Sequence, residues 1–422
     1  MRKIIKNLTF LLGVLLQIST IVYAQEGNEG QKVKLYHNGK VTHQLTMDSV
    51  TVAETVGPVI PGKNCALIYY DVEVGKNKLI LNGVEKKLTV PDDPDRYILH
   101  SIIAQGQDVY VLGVKYYKDG KAEWTEGEKY VIWKNYEFLY SVTDIQLIQP
   151  YAKGFRVDGN DIYIWGYSQS SLDAPDGSDR GFYIKNQENA RVSNVPFTGF
   201  DVSNGDKYAV YSYRGYFSYH STDRFYSNFG QIWRMWHNGD VTDIQRGDRS
   251  KLAYVNDLVL FNNVPYAIGY TQILTVKNGK GTESWYTTYS IGNQSFDVPF
   301  DIPGNDADRS EGLRIRVDDQ GNVYMLTSYL HRTLGENNKD VYRVLKNGAK
   351  LYELEVDKKS IYGDTGNNNV TNLYIDGTDV YVMGGGYNYE NDVITCNFYL
   401  WKNGEPIWSS GNRSNIVDMV IY

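Results

Sequence analysis

One pattern returns along almost the whole chain and limits what it can become. An apolar strand runs into an Asn turn at Asn38, Asn82, Asn135, Asn186, Asn238, Asn293, Asn347 and Asn403, at intervals of 44 to 56 residues. Between these turns lie segments of the form V/I-Y-x-x-G, or relatives of it, centred on Tyr69, Tyr110, Tyr163, Tyr208, Tyr266, Tyr324 and Tyr381 at intervals of 41 to 58. Asn-Gly between alternating apolar runs marks a two-residue hairpin, because both central residues of a type I′ turn need φ > 0. The last complete repeat, 369–410, shows the unit: strands at 370–375, 380–384, 398–402 and 406–409, with turns at 376–379 and 403–404.

Four short strands repeated every forty to sixty residues are the signature of a β-propeller blade. Such a sheet has apolar faces that it cannot bury alone, so blades must stack around an axis. Composition agrees with an all-β chain: 37 Tyr, 40 Gly, only 11 Pro, and few runs with helical period. The ends suggest how the ring closes. Residues 32–46 read as a third-and-fourth-strand hairpin, and 415–422 as a lone first strand. If the N- and C-terminal segments share a blade, seven full repeats plus this split blade make eight. The repeat at 48–90 is short and degenerate, so seven is the alternative count.

Residues 1–24 carry Arg2, Lys3 and Lys6, an apolar run from Leu8 to Val22, and Val22-Tyr23-Ala24. This reads as a secretory signal cleaved after Ala24, followed by a short leader at 25–31 and a single propeller domain at 32–422. The apolar run is shorter than the about 20 residues that a membrane span needs. The chain is therefore expected in the periplasm, at the cell surface or outside the cell, with no transmembrane segment after signal removal. With those three basic residues gone, 40 basic against 50 acidic residues leave a net charge of −10. An acidic chain with no basic stripe argues against nucleic acid and anionic membranes. The two cysteines, Cys65 and Cys396, read as unpaired thiols. A bridge between them is open only if seven blades make the first and last repeats neighbours.

The stretch GLRIRVDDQGNVYMLTS, 312–328, resembles propeller repeats with a vD-x-x-G-N-v-Y-v-x-G core. The VYVMGG…LWKNG spacing of the last repeat is similar to β-propeller repeats in secreted proteins of gut and oral Bacteroidetes. The resemblance implies a fold over nearly all of the chain after the leader, and it carries no catalytic motif. The repeated Tyr and the Trp of WKNG (Trp133, Trp236, Trp401) are expected to pack between blades, since Leu81, Ile184 and Leu345 replace the Trp elsewhere.

In a four-stranded meander the second-to-third connections leave on one face and the Asn-Gly turns on the other. The first set is long and irregular (115–128, 167–181, 211–230, 271–285, 328–339, 386–396), and variable loops on a rigid scaffold usually carry function. Aromatics in those loops are the candidate ligand contacts: Trp124, Tyr213, Tyr216, Phe217, Tyr219, Phe225, Tyr226, Trp285, Tyr387 and Tyr389. Flat rings stack on sugars and equally serve as anchors for protein partners. Asp306, Asp308 and Glu311 make an oxygen-rich stretch that suits Ca²⁺, without the ligand spacing of an EF-hand, so a solvated loop is the plainer account and no cofactor is expected. The six His form no zinc-ligand pair.

Two functions remain. One is an exported, monomeric binding scaffold recognising a saccharide or a cell-envelope protein through the loop-rich face. The alternative is a propeller-type glycoside hydrolase or polysaccharide lyase. Its acids would be Asp158, Asp201, Asp318, Asp376 and Asp418, near the ends of first strands, with Arg156, Arg314 and Arg316 holding an anionic sugar.

Overall fold

The computed structural model describes residues 22–25, 31–37, 40–47, 58–71, 76–89, 97–115, 129–142, 150–168, 180–193, 197–216, 229–245, 251–277, 280–298, 309–330, 339–357, 369–390, 393–409 and 414–422. It divides into two units, Met1–Thr55 and Val56–Tyr422. The first holds a three-stranded antiparallel sheet of Val22–Gln25, Gln31–His37 and Lys40–Met47. The second is an all-β propeller, and no helix occurs among the described residues.

The propeller has seven four-stranded antiparallel blades. Blade 1 combines Ser414–Ile421 with Cys65–Asp71, Lys76–Leu81 and Val84–Lys86. Blades 2 to 7 follow in chain order and open with Tyr97–Gln105, Pro150–Asp158, Gly199–Ser203, Lys251–Phe261, Arg309–Val317 and Asn369–Asp376. These first strands lie innermost, and each touches the next around a closed ring that ends where Asn369–Asp376 meets Ser414–Ile421.

Of the two counts that the sequence allows, seven is therefore found, and the favoured eight is corrected. The ring does close by pairing of an N-terminal with the C-terminal segment, but the N-terminal partner is Cys65–Asp71 in place of the expected 32–46, from Ile421 opposite Cys65 to Ser414 opposite Asp71. The reason lies in the short first repeat. Its described residues ahead of Cys65, 58–64, make a turn, and among the described residues this repeat supplies no inner strand of its own. The last strand of the chain fills that place, and Asn64 and Tyr422 exchange backbone hydrogen bonds at its end.

The repeated residues have local causes. Asn82, Asn135, Asn186, Asn238, Asn347 and Asn403 all have φ between 48 and 51°. Each also wires its turn to the start of the second strand. In blade 7, Asn403 Oδ1 accepts from the Val380 N–H (2.8 Å) while its Nδ2 donates to Asp379 Oδ1 (2.9 Å). The same clamp joins Asn82 to Cys65 and Asn64, Asn135 to Val109 and Asp108, Asn186 to Ile162 and Asp161, Asn238 to Lys207 and Asp206, and Asn347 to Val323 and Asn322. Blade 5 differs: Gly292 (φ 57°) takes the turn position, and Asn293 follows it. Asn38 lies outside the described residues.

The Lys before the turn Asn closes the unit in three blades. Lys134, Lys185 and Lys402 each pair at 2.7 Å with the second-strand Asp and lie over the repeated Tyr. Six of the seven repeated Tyr and all three Trp are buried, Tyr266 is half-buried, and Trp133 is fully enclosed.

The Gly of V-Y-x-x-G has a different cause. In four blades the inner strand carries a register shift near its start, and the residue before it faces glycine: Leu99 opposite Gly113, Ala152 opposite Gly166, Val255 opposite Gly269, Val370 opposite Gly384. A Cβ on Gly166 or Gly269 would run into the carbonyl oxygen of Tyr151 or Tyr254. Blade 6 places the glycine on the inner strand instead, with Gly312 opposite Thr327.

Candidate functional site

Inner strands of a propeller present backbone N–H groups along an edge that no further strand covers, and buried donors need partners. Three aspartates supply them across blade boundaries. Asp418 of blade 1 accepts from the Ile102 N–H of blade 2 (2.9 Å). Asp201 of blade 4 accepts from Leu260 N–H of blade 5 (2.7 Å). Asp257 of blade 5 accepts from Ile315 N–H of blade 6 (3.1 Å).

Arginines complete this axial network. Arg156 Nε donates to Asp201 Oδ1 (3.1 Å), and Arg316 Nη1 donates to Asp257 Oδ2 (2.7 Å). Burial works against ionisation of Asp257, but Arg316, Arg314 and the Ile315 N–H hold its carboxyl below the ordinary range. Asp201 lies on the other side of that balance: burial pushes it up, and Arg156 offsets this only in part. Burial also pushes Asp418 up to about 6, against the N–H groups of Ile102 and Met419, the charge of Arg314 and the Asn372 amide. Tyr374, beside Asp418 and Arg316, is driven well above the usual phenol range by burial.

The five expected acids thus divide. Asp201 and Asp418 lie in the axial network. Asp158, Asp318 and Asp376 belong to the face of the first-to-second-strand turns. Asp158 accepts from the Asn204 and Gly205 N–H groups (3.2 and 2.8 Å). Asp318 closes its own turn through Gln320, Asn322 and Tyr324. Asp376 pairs with Lys63 at 2.7 Å. Asp257 was missed by the sequence reading. Counted back from the turn, it occupies the inner-strand position of Asp418 and Arg314, and that alignment would have found it.

On the opposite face, Trp285 is the one expected aromatic whose side chain the structure describes. Its ring stacks on Tyr270 (centroids 5.0 Å, 9° between planes), and Tyr270 stacks on Tyr254 (4.6 Å, 15°). These rings come from three successive strands of blade 5 and stand near the end where the second-to-third connection leaves. A second stack lies at the same end of blade 3, where Tyr151 meets Tyr167 (5.3 Å, 28°). Neither Tyr pair was singled out from sequence. Tyr213 and Tyr216 lie on Asp206–Tyr216, and Tyr387 and Tyr389 on Asp379–Glu390, opposite Ile232, Phe229, Cys396 and Ile394. Trp124, Phe217, Tyr219, Phe225, Tyr226, Asp306 and Asp308 lie outside the described residues. Glu311 is half-buried on the inner strand of blade 6, and no group of three metal-ligating side chains occurs among the described residues. Cys65 is a free, buried thiol that burial pushes up to about 12.

The fold and this pair of regions define a seven-bladed β-propeller with a charged axis and an aromatic face. No family model matches the chain, and no curated protein matches it. Among solved structures it is similar to the polysaccharide lyase Uly1 (11% identity, 90% of this chain and 97% of that one, TM-score 0.41). It is also similar to a Trypanosoma rangeli sialidase (12%, 75% and 55%, 0.34) and a Penicillium chrysogenum α-L-arabinanase (11%, 83% and 97%, 0.34). At these identities and scores none of them bears on what this chain binds or does.

Proposed function

We propose that this propeller is a saccharide-binding scaffold whose recognition surface is the face where the second-to-third-strand connections leave. The observation that carries the reading is the three-ring stack of Tyr254, Tyr270 and Trp285 there. Stacked rings on adjacent strands are held in place before any ligand arrives, so little side-chain freedom is lost on binding. Aromatic rings with polar edges suit the mixed apolar and hydroxylated surface of a sugar. The hydrolase or lyase reading would need two carboxyls facing an open site at about 5–10 Å. Asp201, Asp257 and Asp418 instead give oxygens to the backbone of the next blade, which favours a structural duty for them.

A glycan array probed with the full chain tests this, followed by titration of the tightest glycan against Trp285→Ala. Binding that weakens at least tenfold in the variant, at unchanged melting temperature, supports the proposal. A silent array overturns it.

A further inference from the structure

The loop-rich end of blades 2 and 3 holds a group of side chains outside the axial network of aspartates and arginines. Tyr151 and Tyr167 form their stacked pair at the loop-rich end of blade 3. Lys153, exposed at the register shift of the same inner strand, places Nζ 5.2 Å from the centroid of the Tyr167 ring. Unlike Lys134, Lys185 and Lys402, which sit over tyrosines while paired with aspartates, Lys153 has no carboxylate partner among the described residues. His100, at the matching register shift of blade 2, is hydrogen-bonded to the backbone of Ala152 and feels the charge of Lys153. Its Nδ1 is buried with no hydrogen-bond partner. Buried polar atoms are nearly always satisfied, so one left over beside a cation with no carboxylate partner among the described residues points to a ligand.

The chemistry of the four groups defines what fits. Burial, and then the nearby Lys153, hold His100 in its neutral form by lowering its pKa. A neutral imidazole keeps one donor and one acceptor nitrogen, so the unpartnered Nδ1, in its acceptor tautomer, takes a hydroxyl proton. Lys153 takes an anion as a point charge. The tyrosine pair gives a flat apolar wall with polar edges. A neutral sugar would leave the ammonium unpaired, and a simple inorganic anion would leave the wall and the His100 acceptor unused.

We infer that Lys153, His100, Tyr151 and Tyr167 form a subsite for an anionic sugar residue, with a carboxylate or sulfate on Lys153 and a hydroxyl on His100 Nδ1. This rests on the proposed saccharide-binding function and names the class of sugar.

The test is an array of carboxylated and sulfated glycans, each beside its neutral counterpart, followed by titration of the tightest anionic glycan against three variants. Binding confined to the anionic members is expected, with a loss of tenfold or more in Lys153→Gln and in His100→Phe. Lys207→Gln is the control: Lys207 also lies over a tyrosine, Tyr183, but next to the turn of Asn204 and Gly205, and its removal should leave binding unchanged. Melting temperatures of all variants exclude misfolding as the cause. Neutral glycans bound as well as anionic ones, or Lys153→Gln binding like the parent, overturn the subsite while leaving the scaffold reading intact. Silence across the array removes both.

Discussion

The two faces of this propeller are built from the same strands and obey different rules. On the Asn-Gly face, six blades repeat one clamp of Asn, Asx and backbone N–H, so each hairpin is fixed in the same way. On the opposite face the same strands run on to different lengths. The second strand has 8 residues in blade 2, 14 in blade 5 and 12 in blade 7, and aromatic stacks appear only where particular blades carry them. Between the faces runs the axis, where blades differ in sequence yet share one task, the satisfaction of the neighbouring inner edge. Repetition in this chain therefore encodes the wheel, and departures from repetition encode what the wheel presents.

That contrast is broken most forcefully at the axis. Asp257→Ala leaves the half-buried Arg316 guanidinium without its carboxylate and the Ile315 N–H without its acceptor. Stranding a fully buried charge costs about 3–5 kcal/mol, an upper bound here because the Arg316 side chain is 25% exposed. Urea unfolding should show that loss. A change below about 1 kcal/mol would mean that the axis does not hold the blades together. Gly166→Ala comes next. Its Cβ would meet the Tyr151 carbonyl, and overpacking of this kind costs about 1–3 kcal/mol. The same change should also disturb the Tyr151–Tyr167 stack, which the intrinsic tyrosine fluorescence or near-ultraviolet dichroism would register.

The repeated face gives an internal control for its own rule. Asn403→Ala removes the acceptor of Val380 N–H and puts a Cβ-bearing residue without a local hydrogen bond at φ 51°. A loss of about 1–2 kcal/mol is expected. Asn293→Ala alters the one blade where glycine holds the equivalent turn position, and it should change stability by less than about 0.5 kcal/mol. Equal effects at both positions would show that the clamp is incidental to the turn.

These residues also explain how far the sequence could be read. Turns such as Asn403-Gly404 are legible because φ > 0 restricts the residue types on the spot. The V-Y-x-x-G glycine is legible as a motif for the same kind of reason, since the crowding that demands it lies in the partner strand of one hairpin. The closing strand was not legible in this way. Ser414–Ile421 announces itself as a first strand, but nothing in it names Cys65–Asp71 as its partner, because strand pairing across the whole chain is fixed by which blade lacks an inner strand. Asp201 and Asp418 could be placed near the ends of first strands, whereas their roles depend on donors in the next blade, some 59 and 316 residues away in the chain. Asp257 escaped because its strand ends in Asn262-Asn263 rather than Asp-x-x-Gly, which hid the alignment. The aromatic stacks escaped because Tyr151 and Tyr254 lie on inner strands, outside the loops where recognition residues were sought.

The last test concerns the clasp of the ring, and its sign is the informative part. Asp418 sits on the closing strand and binds both neighbours, the Asn372 amide of blade 7 and the Ile102 N–H of blade 2. Burial raises its pKa to about 6 from an ordinary value of 3.8. The folded state therefore holds this proton more tightly than the unfolded chain does. Its contribution to stability is complete below about pH 4 and is lost as pH rises through 6, opposite to the usual behaviour of a salt-bridged carboxylate. Asp418→Asn cannot titrate. Its unfolding free energy, measured by urea titration from pH 4 to 7, should lack the decline that the parent shows over that window, so the difference between the two should grow on the acidic side in the parent's favour. A difference that stays flat with pH would mean that Asp418 is ionised throughout, held by its N–H donors against the burial that opposes them, and the clasp would then act as Asp257 does.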